Sequence, residues 1–381
     1  MIYQNPDLEY GSMIHQIAMR CSSDLGKAIA HELRPHTDIA SITRSQNLIA
    51  EIQELMEQGL DFNFEDLADL TYLFNEQAYS LYNWEEFRQI AQNADIAVKI
   101  HDKTDYIKEQ PIASSIVKRI ITMPDIMERF VRIFDPEGDV LDSASPELAN
   151  IRRKTGFLRS RIQKTMQNLL SDSRLEHYLQ DKFVTQREDR FVLPIKESAT
   201  PFVNGIVQSH SSKGSTVFIE PAEVVPLNNE LQLMKQEEKQ EIYRIFSEFS
   251  KSIKARKLDI LANQSILAEL DFRFACGRFS NQIRAKVPKM QKQPTLNLIS
   301  ARHPLLILRN IADKGSHNIG FNSVIPFDLS LGDEYYMLIL SGPNTGGKTV
   351  LMKAVGLITL MAMYGLTVPV DPDSEIGLFS N

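Results

Sequence analysis

The chain holds 381 residues, 43% apolar and 24% charged, with 17 Gly and 17 Pro. That is roughly two to three domains of ordinary globular sequence, and it excludes a mini-protein, a collagenous chain and a wholly disordered one. The formal charge of −7 excludes polyanion binding by overall charge and leaves it to local basic clusters.

The two cysteines, Cys21 and Cys276, stand far apart and outside any metal-ligand spacing, so neither a disulfide framework nor a structural zinc site is available. The longest apolar stretch, around residues 355–363, is well short of the ~18 residues a spanning helix needs. A cytoplasmic protein with no membrane partner is expected.

Up to about residue 135 the apolar positions recur at three and four, as in Leu48, Ile49, Ile52 and Leu55, with breaks at Pro35, Gly59 and Pro111. This pattern predicts a helical core domain over 1–145. Ser145-Pro146-Glu147 is a helix start signal, and it opens a second long helix over about 146–170. Between 183 and 221 the apolar runs become short and alternating, bounded by Pro194, Pro201, Gly205 and Gly214. A small antiparallel insertion is predicted there, its last two strands a hairpin and Pro194 at an edge or bulge.

Residues 227–276 contain no Gly or Pro and carry apolar residues on a three/four spacing, interrupted by Glu238, Arg256 and Asn263. One helix of roughly 75 Å is predicted, with the helix over 146–170 as its nearest partner. Residues 146–288 thus read as lever helices with a β clamp-like insertion at about 183–221. After Pro288 the runs 296–300, 305–308, 327–331 and 335–340 read as strands before a loop and an apolar helix, the start of an α/β domain over 289–381. The expected fold class is multidomain α+β.

The strongest motif is Gly342, Pro343, Asn344, Thr345, Gly346, Gly347, Lys348 and Thr349, which fits G-x-x-x-x-G-K-[ST] between an expected strand and an expected helix. Glycines let successive N–H groups face one phosphate, and the following helix presents its positive end. ATP with Mg²⁺ is the expected ligand: Lys348 supplies the catalytic cation and Thr349 a hydroxyl for the metal. A glycine-rich turn without a ligand is the competing explanation. Hydrolysis also needs a strand-end carboxylate, and the downstream candidate Asp371 sits in a loop between Pro369 and Pro372. The expectation is therefore the N-terminal part of an incomplete ATPase domain, inactive alone. Residues 335–340 and the helix face of Val350, Leu351, Val355 and Ile358 would then lack covering strands.

A basic cluster of Arg152, Arg153, Lys154, Arg159, Arg161 and Lys164 has no acid among it, and with Lys213 at the hairpin tip it is the candidate phosphate-backbone surface. A solvated helix face is the alternative. Lys251, Lys254, Arg256 and Lys257 form a second run, read as a solvated or paired face. His303 is weighed between a structural role and one near the nucleotide. Two Phe-x-Glu strings, at Phe74 and Phe246, fall in helical patterns and are read as chance.

The phosphate loop, preceded by Ala301-Arg302-His303-Pro304-Leu305, resembles the MutS family of DNA-structure-sensing ATPases. Arg190-Phe191-Val192-Leu193-Pro194, Gly214-Ser215-Thr216-Val217-Phe218-Ile219-Glu220-Pro221 and Leu25-Gly26-Lys27 are similar to its bacterial MutS-two branch. The resemblance implies a homodimeric, ATP-gated clamp acting on mismatched or branched DNA in repair. Ribosomal RNA on stalled or collided ribosomes is the alternative target within the same branch. It also implies that the nuclease activity of the branch lies in a C-terminal domain beyond these residues, and that the adenine would be flanked near Val324 and Ile325. A P-loop kinase is disfavoured by the long helices and a pure scaffold by the phosphate loop.

Overall fold

The computed structural model describes residues 8–75, 81–212, 214–342 and 347–379. The first helices are α1 (Tyr10–Ala18), α2 (Asp24–His31), α3 (Ile39–Glu57), α4 (Trp84–His101), α5 (Pro111–Val117) and α6 (Pro124–Ile133). After α7 (Pro146–Leu170) and the short α8 (Ser173–Glu176) come the strands β1 (Thr185–Arg187), β2 (Arg190–Lys196), β3 (Gly205–His210) and β4 (Thr216–Pro221). Two long helices follow, α9 (Val225–Lys254) and α10 (Lys257–Ile283), then β5 (Lys289–Gln291) and β6 (Leu296–Ala301). The chain closes with α11 (Pro304–Lys314), α12 (His317–Asn322), β7 (Phe327–Leu331), α13 (Lys348–Met363) and β8 (Glu375–Gly377). It is a helix-rich α+β structure with two small sheets.

Two compact units result. One comprises Met1–Ala78, Arg88–Met127 and Arg256–Asn381, the other Tyr79–Phe87 and Glu128–Ala255. In the first, α10 is the central element, burying Ile260, Leu267, Leu270, Phe274, Phe279 and Ile283. One apolar group joins it to α1, α3, the sheet and α13, and a second joins it to α3, α4 and α5. Its buried polar residues serve backbone that no regular element satisfies. Asn263 exchanges both bonds with the main chain of Ile121, and Gln264 Oε1 accepts from Leu70 N at 2.7 Å. Asp271, with no exposed surface, accepts from Ser22 N at 2.9 Å, Ser23 N at 2.8 Å and Ser23 Oγ at 2.6 Å. Ser23 in turn caps α2 by accepting from Gly26 N. The unit's sheet runs β5-β8-β6-β7, parallel between β5 and β8 and antiparallel elsewhere.

In the second unit α7 packs against α9 and under an antiparallel sheet of order β1-β2-β4-β3, with Leu158, Ile162, Leu193, Ile219 and Leu231 in one core. The carboxylate of Glu220 is fully buried there and is matched by Arg190 at 2.9 Å, Asn228 Nδ2 at 2.8 Å and Gln208 Nε2 at 2.6 Å. Without those donors a buried charge would be strongly destabilising. Phe87 stacks on Phe249 with centroids 4.6 Å apart and meets Phe246 edge-on, an arrangement that contributes roughly 0.5–1.5 kcal/mol per pair beyond area burial.

The bounds of α7 and the β3–β4 hairpin agree with the sequence pattern. Pro194 is not at a free edge: β2 pairs with β4 through Pro194 and Phe218, and on its other side Gln180 N donates to the Pro194 carbonyl at 2.9 Å beside the isolated Leu179–Ile195 bridge, an irregular pairing that tolerates the missing N–H. Three expectations are corrected. The single helix over 227–276 is two, since Arg256 at φ −105°, ψ 16° leaves helical geometry and the apolar faces before and after it belong to different cores. Residues 305–308 are helical in α11, opened by Pro304 and ended by Gly315 at φ 59°. Residues 335–340 form no strand: no described strand lies beside them to pair with, and Tyr336, Met337 and Ile339 are about four-fifths exposed.

The close fit between α2 and Asp271 is testable. A Cβ at Gly26 would lie 2.9 Å from Asp271 Cγ, inside contact distance. Gly26→Ala should destabilise by about 1–3 kcal/mol and Asp271→Ala by about 2–4 kcal/mol through its three stranded donors. In urea unfolding the double variant should lose less than the sum, and strict additivity would contradict the contact.

Candidate functional site

Helix α13 begins at Lys348 because Gly347 adopts φ 79°, ψ 6°, a left-handed conformation suited to glycine. Gly347 has no side chain to cap the helix, and the first intrahelical bond runs from Leu351 N to Gly347 O at 2.9 Å. The N–H groups of Lys348, Thr349 and Val350 therefore open the helix toward an anion. Lys348 Nζ donates back to the Gly342 carbonyl. Pro343, Asn344, Thr345 and Gly346 lie outside the described residues, as does Lys213. Thr349 is exposed at the first turn, free to offer its hydroxyl to a metal.

Beside Gly347 lies a cavity of about 430 Å³ lined by Leu306, Val324, Pro326, Phe327, Val350 and Leu351, with His303, Asn310, Ser323 and Ile325 completing its rim. An apolar cavity with few polar groups, adjoining a helix N-terminus, suits a planar base attached to phosphates. The described residues are thus of a kind that would fit a nucleotide: the N–H groups of the helix start with Lys348 for the phosphates, and Thr349 for Mg²⁺. Val324 and Ile325 do line this cavity; Leu306 and Phe327 were missed, because nothing in a short apolar run tells which side will face a cavity.

The second half of α13 is largely buried. Ile358, Leu357 and Met361 have no exposed surface and pack in the first unit's core, while Val350 and Met352 stay exposed. The expectation that this face would lie bare is corrected for Val355 and Ile358, because α3 and α11 pack against α13 and both residues join the first unit's core. Lys353 Nζ reaches Glu9 Oε1 at 2.9 Å, and Glu9 Oε2 is 3.8 Å from His303 Nε2. Burial pushes the His303 imidazole below its ordinary value; Glu9 opposes this and Lys353 adds to it. Its Nδ1 is buried without a well-formed hydrogen bond among the described residues.

On α7 the six cations divide. Arg152 is engaged by Glu238 and Asp142, each at 2.7 Å, and by the Val140 carbonyl. Arg153, Lys154, Arg159, Arg161 and Lys164 are exposed, and no ion pair ties them among the described residues. Arg159 nevertheless helps Lys235 and Lys239 hold the Asp189 carboxyl below its usual range. The second basic run is internally committed: Arg256 pairs with Asp125 at 2.7 Å, Lys257 donates to the Phe74 carbonyl, and Lys254 lies over the Tyr82 ring. Phe74 is buried, and Phe246 belongs to the aromatic cluster.

Asp371 accepts Asp373 N at 2.9 Å within its own loop. Cys21 and Cys276 are free and buried, and burial pushes both thiols up, Cys276 to about 12. No helix among the described residues is long and apolar enough to cross a membrane.

The site is thus a helix N-terminus opened by Gly347 beside an apolar cavity, on a helix-rich α+β scaffold. No family model matches the chain, but curated relatives do. The Endonuclease MutS2 of Finegoldia magna is 34% identical over 393 residues, covering 98% of this chain and 46% of the relative. Those of Alkaliphilus oremlandii and Listeria innocua are each 33% identical over 98% of this chain, covering 46% and 47% of theirs. Over nearly its whole length the chain is similar to MutS2-type proteins, and it spans about half the length of the curated relatives it matches.

His303 gives a pH signature. Its pKa is lowered in the folded chain, so below the ordinary value of about 6.5 the unfolded chain binds a proton that the folded one resists. The stability this group contributes is present above that pH and is lost as pH falls. Urea midpoints at pH 7.5 and 5.5 should therefore differ less for His303→Gln than for the parent; equal differences would remove His303 from the account.

Proposed function

We propose that this chain is the nucleotide-binding and nucleic-acid-gripping portion of a cytoplasmic ATPase that works as a homodimeric, ATP-gated clamp on nucleic acid, with branched or mismatched DNA as the substrate. The observation that carries the reading is the opening of α13. There Gly347 opens the helix with free N–H groups, Lys348 Nζ reaches the Gly342 carbonyl and an apolar cavity adjoins them. Bound MgATP would place its phosphates at Gly342, Gly347 and Lys348, with Thr349 on the metal and the base between Val324 and Phe327. The relatives' name includes endonuclease; the reading assigns no nuclease step to these residues.

In such a clamp, ATP changes the grip by stabilising one arrangement of a two-state element. Nucleic acid would be held in part by the unpaired cations of α7, whose contribution is salt-dependent.

Two measurements test the reading. Lys348→Ala should weaken binding of a fluorescent ATP analogue by about 10- to 100-fold, the range of a charge-assisted contact, with helical content unchanged; an unaltered affinity would sink the nucleotide assignment. Replacing Arg153, Lys154 and Arg161 by Gln should lower the log–log salt slope of duplex binding by roughly 0.9 for each phosphate no longer neutralised. A slope that stays put makes this helix face a solvated one.

A further inference from the structure

Helix α7 is amphipathic on one side only. It buries Leu148, Ile151, Leu158, Ile162 and Met166, as a helix packed along one stripe should. The opposite side should be wholly polar, yet Phe157 stands there with 69% of its surface exposed. Residues three, four and seven apart share a helix face. Phe157 therefore has Arg153 and Arg161 one turn to either side, Lys154 three residues before and Lys164 seven after.

All four cations are exposed. Arg153 donates to Asn150 Oδ1 at 2.9 Å and makes no ion pair among the described residues, and no acidic residue occurs between Glu147 and Asp172. Gly156, next to the ring, has nothing within 4 Å of the Cβ it lacks. Glycine inside an exposed helix is destabilising relative to alanine, and no packing in the chain requires it here. An unburied ring and an unexplained glycine are thus adjacent at the centre of an acid-free cationic face.

We propose that this face of α7 binds single-stranded nucleic acid, an unpaired base lying on Phe157 while Arg153, Lys154, Arg161 and Lys164 hold the flanking phosphates. Cations alone would serve any polyanion. The ring narrows the choice, because a base stacked within a duplex has no free face to offer it, whereas an unstacked base covers it and removes its contact with water. Gly156 leaves the flank of the ring clear for the sugar. A lipid surface is a poorer match: one ring offers little apolar area, and the apolar stripe of α7 is already buried. The proposal rests on the nucleic-acid part of the function above and names the form of nucleic acid taken.

The test uses the full chain with labelled oligothymidine, oligouridine and a blunt duplex at fixed salt. Phe157→Ala should weaken single-strand binding by about 5- to 100-fold, the range of one base stack. Duplex affinity and the salt slope should be unchanged. Phe157→Trp should restore affinity, and its indole emission should be quenched on binding beyond the background of Trp84. A stronger effect on one oligonucleotide than the other tells DNA from RNA as the source of the base.

Phe157→Ala weakening duplex and single strand equally, or binding both like the parent, overturns the inference, as does Phe157-dependent binding to anionic phospholipid vesicles without oligonucleotide binding. A parent chain that binds no nucleic acid removes the underlying reading and this inference together. A parent whose binding is salt-dependent but insensitive to Phe157→Ala removes the inference alone.

Discussion

The carboxylate of Asp271 lies inside α10 with no exposed surface, and the geometry near α13 is registered through it. Its three hydrogen bonds fix Ser22 and Ser23, which places the end of α1 and the start of α2 against α10. Residue Glu9, just before α1, then meets Lys353 and approaches His303. One buried carboxylate thus sets, through a short chain of contacts, the flank of α13. A neutral residue at 271 could pack there, but it would leave three donors without their acceptor, those of Ser23 fully buried.

The same logic recurs along the structure. Glu220, Asn263 and Gln264 each satisfy backbone or side-chain donors that secondary structure leaves over, so buried polar groups specify geometry here more than they add stability. The three polar residues that interrupt the long apolar stripe behave alike. Glu238 receives Arg152, Arg256 reaches Asp125 and Asn263 holds Ile121. A uniformly apolar stripe would remove one partner from each of these groups.

Much of this was legible in the sequence. Ser145 before Pro146 marked the start of α7, small and turn-forming residues marked the β3–β4 hairpin, and the glycine spacing marked the opening of α13. What was not legible has physical causes. The break at Arg256 carries no Gly or Pro, since it arises from a change of core and not from a local breaker. The run at 305–308 is too short for periodicity to separate helix from strand. Residues 335–340 have strand composition, but a strand needs a neighbour, which composition cannot supply. Phe157 did carry a signal, an aromatic residue out of phase with its helix's buried stripe, and it is seen only when the polar face is read as closely as the apolar one.

The discontinuity of the first unit has a consequence for how the chain is made. Ser23 and Asp271 are separated by 248 residues, and at about 5–20 residues per second a ribosome needs on the order of 12–50 s to deliver the second after the first. Throughout that interval Ile17, Ile42 and Ile49 have no α10 to pack against. The stretch Glu128–Ala255, by contrast, holds nearly all of its own unit's core and can close as soon as it emerges. Synthesis therefore favours an order in which the middle of the chain folds before its beginning. The α1–α3 segment must be kept from associating until its carboxylate partner arrives.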